Sequence, residues 1–230
     1  MNRTMRLFII VPAYNESKTI QEVLGRIKQH YSAEQIIVID DGSSDNTYDL
    51  VKACGVRVYR HILNRGLGGA LGTGLAVAKE LQADIAVTLD ADGQHDPEEV
   101  KRLIAPIEKG EAQCVIGSRL LNHTSGMPFI RRAYNMVGNI ITWVIFGVWT
   151  TDSQSGFRAF SKYAIDMIDV RTNRMEVSSE FFKEIRAKGL SFKEVPIKAI
   201  YTDYSMSKGQ GFFVGIKTVA RLILLRLRGR

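Results

Sequence analysis

Short apolar runs alternate with segments of helical spacing over the first half of the chain. Five runs rich in valine and isoleucine are typical of buried strands: RLFIIVP, QIIVIDD, VRVYRH, DIAVTLD and QCVIGS. Apolar positions recur at helical spacing between them, over residues 16–30, 46–53, 67–81 and 97–109. Continuous apolar strands that alternate with helices predict an α/β fold, in which helices cover both faces of a mostly parallel sheet.

The second half of the pattern is less regular. A long apolar stretch of helical spacing covers residues 128–149 and is interrupted by Arg131 and Arg132. Two further strands and a helix are expected at 154–161, 192–201 and 176–189. Since the chain shows no linker, repeat or low-complexity segment, residues 1–210 are predicted to form one domain.

The last twenty residues, 211–230, are predicted to form a basic amphipathic helix. Its apolar positions recur at helical spacing: Phe212, Phe213, Ile216, Val219, Leu222 and Ile223. Lys217 and Arg221 interrupt the apolar run, so the segment is a poor membrane-spanning helix. It can either pack on the sheet or lie on a membrane surface.

Composition is that of a globular protein. The chain has 230 residues, of which 45% are hydrophobic and 24% charged, enough for one domain with a sizeable core. Cys54 and Cys114 lie far apart in apolar stretches, which favours reduced core residues over a disulfide or a metal site. The N-terminal apolar run ends at Pro12 and is too short for a signal peptide, so we expect a buried first strand.

The net charge of +7 is unevenly placed. No acidic residue occurs between Gly117 and Thr151, and residues 201–230 contain many basic residues against the single Asp203. Because both basic regions also contain large apolar residues, they favour an anionic membrane surface as partner. No nucleic-acid-binding motif is present, and we expect no nucleic-acid partner.

The most informative motif is DADGQHDPEE at residues 90–99. Asp90 and Asp92 directly follow a predicted strand, at the sheet edge where open α/β sheets bind ligands. Two carboxylates one residue apart can hold a divalent cation that also binds phosphate oxygens, with Gln94 or His95 as a further ligand. The alternative is a strand-to-helix turn that is rich in Asp because such turns need polar caps. The same segment predicts a helix start, with Asp96 as the cap, Pro97 at the first helical position and Glu99 completing a capping box.

Two more polar motifs end predicted strands and should lie at the same edge. They are VPAYNE at 11–16 and VIDDGSSDNT at 38–47. Asp40 and Asp41 can accept hydrogen bonds from a base or ribose. Tyr14 can pack against a base, and Glu16 can accept hydrogen bonds from the nucleoside. Together the strand ends predict a nucleotide site.

The glycine-rich segment NRGLGGALGTG at 64–74 is neither a dinucleotide fingerprint nor a P-loop. Leu71 stands where the fingerprint needs its last glycine, and the Lys-Ser/Thr ending of a P-loop is missing. The glycines either let a helix start close to the nucleotide, with Arg65 near the base or phosphates, or form a purely structural loop.

Taken in order, VPAYNE, IVIDDGSSDNT, NRGLGGA, LDADGQHDP, VIGSR and TDSQSGFRAFS resemble the family 2 glycosyltransferases. Within that family, residues 6–210 are most similar to the dolichyl- and polyprenyl-phosphate sugar synthases. The resemblance implies a GT-A fold, a nucleotide-sugar donor and a Mg²⁺ or Mn²⁺ ion. The residues implied to hold the nucleoside are Pro12, Tyr14, Glu16 and Asp41. Those implied to hold the diphosphate and metal are Asp90, Ala91, Asp92 and Gln94.

The resemblance also implies the residues that handle phosphate. Arg119 would face the donor and acceptor phosphates, and Arg131 and Arg132 would receive a lipid phosphate. Lys208 matches a lysine of the synthases, but Thr202 stands where they usually have an arginine, so the sequence departs from the family at this second cation.

Asp92, Arg119 and Asp152 are the residues expected to act in catalysis. A lipid-phosphate acceptor needs no strong base, whereas a sugar-hydroxyl acceptor would need one, for which Asp152 is the candidate. Asp152 can instead orient Arg158 or the acceptor loop. Ordinary turn or surface roles are expected for the histidines His61, His95 and His123.

The sequence therefore predicts an inverting, metal-dependent transfer from GDP-mannose or a UDP-hexose to a polyprenyl or dolichyl phosphate. The protein is expected on the cytoplasmic face of a membrane, with a small membrane-protein subunit as a candidate partner. The alternatives are a family 2 transferase acting on a saccharide hydroxyl and a catalytically silent, nucleotide-sugar-binding regulatory subunit. The intact Asp90 and Asp92 argue against the silent subunit, and the lack of glycine in VPAYNE argues against a nucleotidyltransferase.

Overall fold

A computed structural model describes residues 5–121, 129–174, 176–198 and 200, except for the side chains of 129–131. A seven-stranded sheet with the order β3-β2-β1-β4-β6-β5-β7 forms its centre. The strands are β1 Leu7–Ala13, β2 Ile36–Asp40, β3 Arg57–Arg60, β4 Ile85–Thr88, β5 Cys114–Ser118, β6 Arg158–Ser161 and β7 Phe192–Pro196. Six strands are parallel, and β6 runs antiparallel to both of its neighbours, β4 and β5.

Helices cover both faces of the sheet. They are α1 Ile20–Lys28, α2 Thr47–Ala53, α3 Leu67–Glu80, α4 Val100–Glu108, α5 Phe129–Phe146, α6 Lys162–Met167 and α7 Val177–Ala187. Short 3₁₀ turns at Ala33–Gln35 and Pro97–Glu99 precede β2 and α4. Among the residues that the structure describes, no helix combines the length and apolar character needed to cross a bilayer.

Alternate residues of the central strands enter two separate cores. Ile9 and Val11 of β1 pack in a cluster that includes apolar residues of α1, α2 and α4. Ile10 of the same strand packs in the other cluster, with residues of α3, α6 and α7. Because both faces of β1 are covered, all of its residues are buried, which accounts for the uninterrupted apolar run.

The α/β fold is confirmed, and several predicted boundaries are corrected. The strand expected at 154–161 begins only at Arg158, since the preceding residues form turns against the sheet edge, and the strand expected at 192–201 ends at Pro196. Helix α6 was not predicted. Asp96 caps the 3₁₀ turn by accepting from Glu98 N at 3.1 Å. The expected capping box does not form, because Glu99 accepts from Lys198 N instead.

Candidate active site

The polar motifs meet at one edge of the sheet, as the strand directions require. Asp40 is the last residue of β2, Asp90 follows β4, and Ser118 ends β5. The segment 152–157 reaches the same edge from the opposite direction, since β6 is antiparallel. This edge is where open α/β sheets bind ligands.

Hydrogen bonds join the turns that follow β1 and β2. Asn15 N donates to Ser43 Oγ at 3.0 Å, and Ser44 N donates to Asn15 Oδ1 at 2.9 Å. Asn15 has a φ of +54°, a left-handed conformation that asparagine tolerates. Glu16 N donates to Thr47 Oγ1 at 2.8 Å. The neighbouring Tyr14 is 45% exposed, so its ring is accessible to a ligand.

The Asp41 carboxylate is buried and shapes the loop that follows β3. It accepts hydrogen bonds from Arg65 N at 2.9 Å, Gly66 N at 2.6 Å and His61 Nδ1 at 2.7 Å. His61 Nε2 in turn contacts Thr73 Oγ1 at 2.9 Å. A plain surface role for His61 is therefore wrong, since this ring connects β2 to α3. The adjacent Asp40 forms an ion pair with Arg60 at 3.1 Å.

The Asp90 carboxylate is held by a buried histidine. His95 Nε2 lies 3.0 Å from Asp90 Oδ2, and the ring stacks on Phe157 with 5.0 Å between centroids. The surface role expected for His95 is wrong, because the residue is only 3% exposed. Gly156 leaves room for the carboxylate, since a Cβ built there would lie 2.3 Å from Asp90 Oδ2.

The two motif carboxylates differ electrostatically. Burial would raise the pKa of Asp90, but the hydrogen bond and charge of His95, with the charges of Arg119 and Arg158, hold it below its ordinary value. Burial and the negative charge of Asp90 raise the pKa of Asp92. Asp92 accepts from Gln94 N at 3.0 Å. A cation between the two carboxylates would favour the ionised form of both.

The donor set fits a divalent cation that phosphate oxygens also bind. Within the described ranges, no group of three or more His, Cys, Asp and Glu side chains is placed to hold a metal ion. The chain thus offers the carboxylates of Asp90 and Asp92, in a loop fixed by Arg26 through Gly93 O and His95 O. Such a pair is typical of Mg²⁺ sites that one or two carboxylates and a substrate phosphate complete.

Arg119 is fixed by the carboxylate of Asp152 at the same edge. Its Nε lies 2.7 Å from Asp152 Oδ2 and its Nη2 lies 2.8 Å from Oδ1. Asn135 of α5 also donates to Asp152, at 2.6 Å. Burial would raise the pKa of Asp152, but the charge and hydrogen bonds of Arg119 outweigh it and lower the pKa. Asp152 is therefore an ionised partner of Arg119.

A second carboxylate holds the two residues that precede Asp152. Glu194 of β7 accepts from Thr150 Oγ1 at 2.7 Å and from Thr151 N at 2.9 Å. Thr151 Oγ1 also contacts Ser118 Oγ at 2.7 Å. Arg158 bonds elsewhere: its guanidinium donates to three carbonyl oxygens, those of Ser153, Ser155 and Ser178.

Helix α5 turns its polar side inward. Asn135, Asn139 and Thr142 are buried, and Asn139 bonds to Thr151 O and Ser153 N. The outward side is apolar and includes Met136, Val137, Ile140, Trp143 and Val144. The helix therefore holds the segment around Asp152 with its amides and exposes these five large apolar residues, while Phe146 at its end is buried.

Comparison with known proteins identifies the family. The model of glycosyl transferase family 2 matches residues 8–168. The chain belongs to glycosyltransferase family 2. This family 2 glycosyltransferase is 40% identical to the UDP-N-acetylglucosamine–dolichyl-phosphate N-acetylglucosaminyltransferase of Methanococcus voltae, over 96% of each chain. It is 29% identical to the dolichol-phosphate mannosyltransferase of Pyrococcus furiosus, over 95% of this chain and 64% of that one.

Solved structures confirm the GT-A fold of this family 2 glycosyltransferase. Glucosyl-3-phosphoglycerate synthase of Mycobacterium tuberculosis, solved with Mn²⁺, UDP-glucose and phosphoglyceric acid, superposes with a TM-score of 0.75. The match covers 97% of this chain and 80% of that one at 21% identity. At that identity the likeness establishes the fold and leaves ligands to be argued from the site.

Most residues predicted for the site in this glycosyltransferase come together at the sheet edge. They are Pro12, Tyr14, Glu16, Asp41, Arg65, Asp90, Ala91, Asp92, Gln94, Arg119 and Asp152. Arg132 is exposed on α5. The side chain of Arg131, together with Lys208, Thr202, His123 and the helix predicted at 211–230, lies outside the described residues.

Sequence reasoning missed the residues that hold the site in place. They are Asn135, Gly156 and Glu194. The glycine of TDSQSGFR was the one visible signal, because a glycine beside a functional carboxylate often marks a close approach. Nothing in the local pattern around Asn135 or Glu194 indicates the partner that each contacts.

Proposed function

We propose that the protein transfers a sugar from a nucleotide-sugar to a polyprenyl or dolichyl phosphate, with inversion and with a divalent cation. The observation that best supports this proposal is that Asp152 accepts hydrogen bonds from Arg119 through both carboxylate oxygens. Asp152, which was expected to act as a base for a hydroxyl acceptor, is therefore engaged in an ion pair with the Arg119 guanidinium. A fixed arginine suits an anionic acceptor, because a phosphate monoester is largely ionised near neutral pH and needs no base.

The donor that we propose is a UDP-linked sugar. The sequence alone does not distinguish GDP-mannose from a UDP-hexose as the donor. The Methanococcus voltae relative, whose name specifies UDP-N-acetylglucosamine, is 40% identical over 96% of each chain, against 29% for the mannosyltransferase. UDP-N-acetylglucosamine is therefore the first donor to test, followed by UDP-glucose and GDP-mannose.

The residues of the edge have separate tasks in this proposal. Tyr14, Glu16 and Asp41, with Arg65, would bind the nucleoside, and Asp90, Asp92 and Gln94 would hold the diphosphate and a Mg²⁺ or Mn²⁺ ion. When bound, that ion supplies Lewis-acid stabilisation of the negative charge that grows on the departing diphosphate.

The reaction itself is a displacement at the anomeric carbon. An oxygen of the acceptor phosphate forms a bond to that carbon from the face opposite the nucleoside diphosphate, whose bond breaks, so the configuration inverts. Arg119, with Arg131 and Arg132, holds the acceptor phosphate near the donor and offsets the repulsion between two anions. Lys208 is a further candidate for phosphate contact.

We further propose that the protein lies on the cytoplasmic face of a membrane. A lipid phosphate has its head group at the interface, and the outward side of α5 presents Trp143, Val144 and Ile140 to solvent. Apolar and aromatic residues beside basic ones suit the head-group boundary. The segment 211–230 adds basic charge, and a small membrane-protein subunit is a candidate partner.

A donor and acceptor screen tests the function. Purified protein with Mn²⁺ is offered each of the three labelled nucleotide-sugars, with polyprenyl phosphate or a saccharide as acceptor. The expected product is an organic-extractable polyprenyl-phosphate sugar, formed only with the lipid phosphate and lost in excess chelator. A product formed only on the saccharide contradicts the proposal, and donor binding without any transfer favours the regulatory alternative.

A further inference from the structure

The start of α3 is packed against a backbone segment from the second half of the chain. A Cβ built at Gly68 would lie 2.0 Å from Thr172 O, and one at Gly66 would lie 2.3 Å from Asn173 O. Gly69 N also donates to Asn173 O at 3.3 Å. The glycines of NRGLGGA therefore permit contact with residues 172–173, which favours the structural interpretation of this loop.

The same loop is bonded from its other side by the donor end of the site. Asp41 accepts from Arg65 N and Gly66 N, at 2.9 and 2.6 Å. Residues 65–66 thus lie between the Asp41 carboxylate and the backbone of Thr172 and Asn173. A shift of that backbone would alter the placement of Arg65, and the Asp41 carboxylate would lose two of its three donors, keeping only His61 Nδ1.

A buried carboxylate of α7 fixes residues 171–172. Glu180 accepts from Arg171 N at 3.1 Å, Thr172 N at 3.0 Å and Thr172 Oγ1 at 2.5 Å. It is 4% exposed. The Glu180 side chain therefore satisfies two backbone donors and one hydroxyl of the segment that contacts α3. Each of these charge-assisted hydrogen bonds is stronger than a neutral one.

We propose that Glu180 is a positioning residue for the nucleotide-sugar donor. Through residues 171–172 it holds the start of α3, and through Gly66 and Arg65 it maintains the bonds to Asp41. The inference rests on the donor half of the proposed function and is independent of the acceptor. Loss of the Glu180 bonds should weaken nucleotide binding, whereas the acceptor residues Arg119 and Asp152 keep their own partners.

The test is Glu180→Gln, which keeps the shape but replaces one accepting oxygen with a donor that faces other donors. The dissociation constants of UDP and GDP, each with Mn²⁺, are measured by calorimetry on the full chain. We expect the nucleotide that the wild type binds to lose about tenfold in affinity. The donor KM should rise by a similar factor, while kcat and the lipid-phosphate KM stay within about twofold.

Glu184→Gln is the matched control, one helical turn along α7. Glu184 is also buried, but within the described part of the chain its carboxylate accepts one long bond, from Asp169 N at 3.4 Å. We expect nucleotide affinity within about twofold of the wild type. Gly68→Ala disturbs the same contact from the α3 side and should reproduce the loss. It also serves if Glu180→Gln fails to fold.

The outcomes separate this inference from the function on which it rests. Unchanged nucleotide affinity in a folded Glu180→Gln or Gly68→Ala variant overturns it, as does an equal loss in Glu184→Gln. A wild type that binds neither UDP nor GDP contradicts both proposals. A wild type that binds a nucleotide without transferring sugar contradicts the proposed reaction only, and the loss in Glu180→Gln then still supports the positioning role.

Discussion

Two helices of the molecule, α1 and α5, bury opposite kinds of face; α1 belongs to the proposed donor half, which carries Tyr14, Asp41 and Asp90, and α5 to the proposed acceptor half, which carries Arg119 and Asp152. In α1, which covers the donor half, the buried residues are all apolar: Ile20, Val23, Leu24 and Ile27. In α5, which follows Arg119 in the acceptor half, the buried residues include Asn135, Asn139 and Thr142, while large apolar residues are exposed. Both helices are amphipathic, yet only the first follows the usual rule for a soluble domain.

We propose that the difference reflects what each half contacts. The donor half encloses its polar groups at a sheet edge and would meet a water-soluble nucleotide-sugar. In the acceptor half, the amide side of α5 packs on the Asp152 segment, so the apolar side of α5 remains available to contact another surface. Large apolar residues exposed together on one helix face are typical of an interaction site, and we propose that they contact the membrane that holds the lipid acceptor.

The largest expected effect tests the donor half. Asp92→Ala should lower kcat/KM on the order of a thousandfold or more, because a cation that stabilises the leaving diphosphate contributes several kcal/mol. Chelation of the wild type should do the same and be reversed by Mn²⁺. Glu98→Ala is the control in the same segment, since its side chain is 71% exposed. Full activity in excess chelator contradicts the metal-dependent mechanism.

Next in size is the effect of breaking the Arg119–Asp152 pair with Asp152→Asn. Removing one member of a buried ion pair costs about 3–5 kcal/mol of unfolding free energy, and transfer should fall by about tenfold to a hundredfold. Asp166→Asn is the control, because Asp166 is 41% exposed and pairs with Lys79 at 3.5 Å. Such a surface pair contributes about 1 kcal/mol or less.

The pair also has a predictable pH dependence. The pKa of Asp152 is lower in the folded protein than in an unfolded chain, so the pair stabilises the fold above about pH 4. That stabilisation is lost as the pH falls through the folded pKa. Urea unfolding between pH 3 and 7 should therefore show the gap between wild type and Asp152→Asn narrowing at the acidic end. A gap independent of pH would mean that Asp152 is not ionised in the fold.

The donor half was largely predictable because its motifs follow apolar runs directly. Parallel strands bring their carboxyl ends to one edge, so Tyr14, Asp41 and Asp90 could be placed together from the pattern alone. The hydrogen bonds that arrange these side chains could not be predicted from the pattern. The contact of His95 with Asp90 and that of Glu180 with residues 171–172 depend on how turns and helices pack in three dimensions.

The acceptor half was less predictable for two physical reasons. The apolar content of β6 does not encode its direction, and only the antiparallel pairing with β4 and β5 brings Asp152 to the site edge. The helical spacing of α5 indicates two faces without saying which one is buried. The usual rule would have placed Trp143 inside and Asn139 outside, which is the reverse of the structure.

A smaller effect is expected at the arginines proposed to receive the acceptor. Charge-removing changes at Arg131 and Arg132 together should raise the apparent KM for lipid phosphate at least about tenfold, because charge-assisted phosphate contacts are worth about 1.5–3 kcal/mol each. Nucleotide affinity should stay near that of the wild type. The matched control is Lys101→Gln, an exposed cation on α4 in the donor half. An unchanged KM for lipid phosphate would indicate that the two arginines have a structural role and would favour a saccharide acceptor.

The smallest expected effect concerns the outward side of α5. Trp143 is 52% exposed and packs edge-on against Trp149 at 6.2 Å. Since only the exposed part of the residue can enter a membrane, Trp143→Ser should remove about 1 kcal/mol of membrane affinity, or about fivefold in binding to anionic liposomes. High salt and removal of residues 212–230 should weaken flotation further through screening and loss of basic charge.

Ile62→Ser is the control, because Ile62 is 98% exposed but lies in the donor half, on the loop after β3. Equal losses in the two variants would mean that any exposed apolar residue promotes binding, and the contrast between the halves would fail. Protein that stays in the soluble fraction with anionic liposomes at low salt would contradict direct membrane binding. Flotation restored only by a membrane-protein subunit would then assign the apolar side of α5 to that partner.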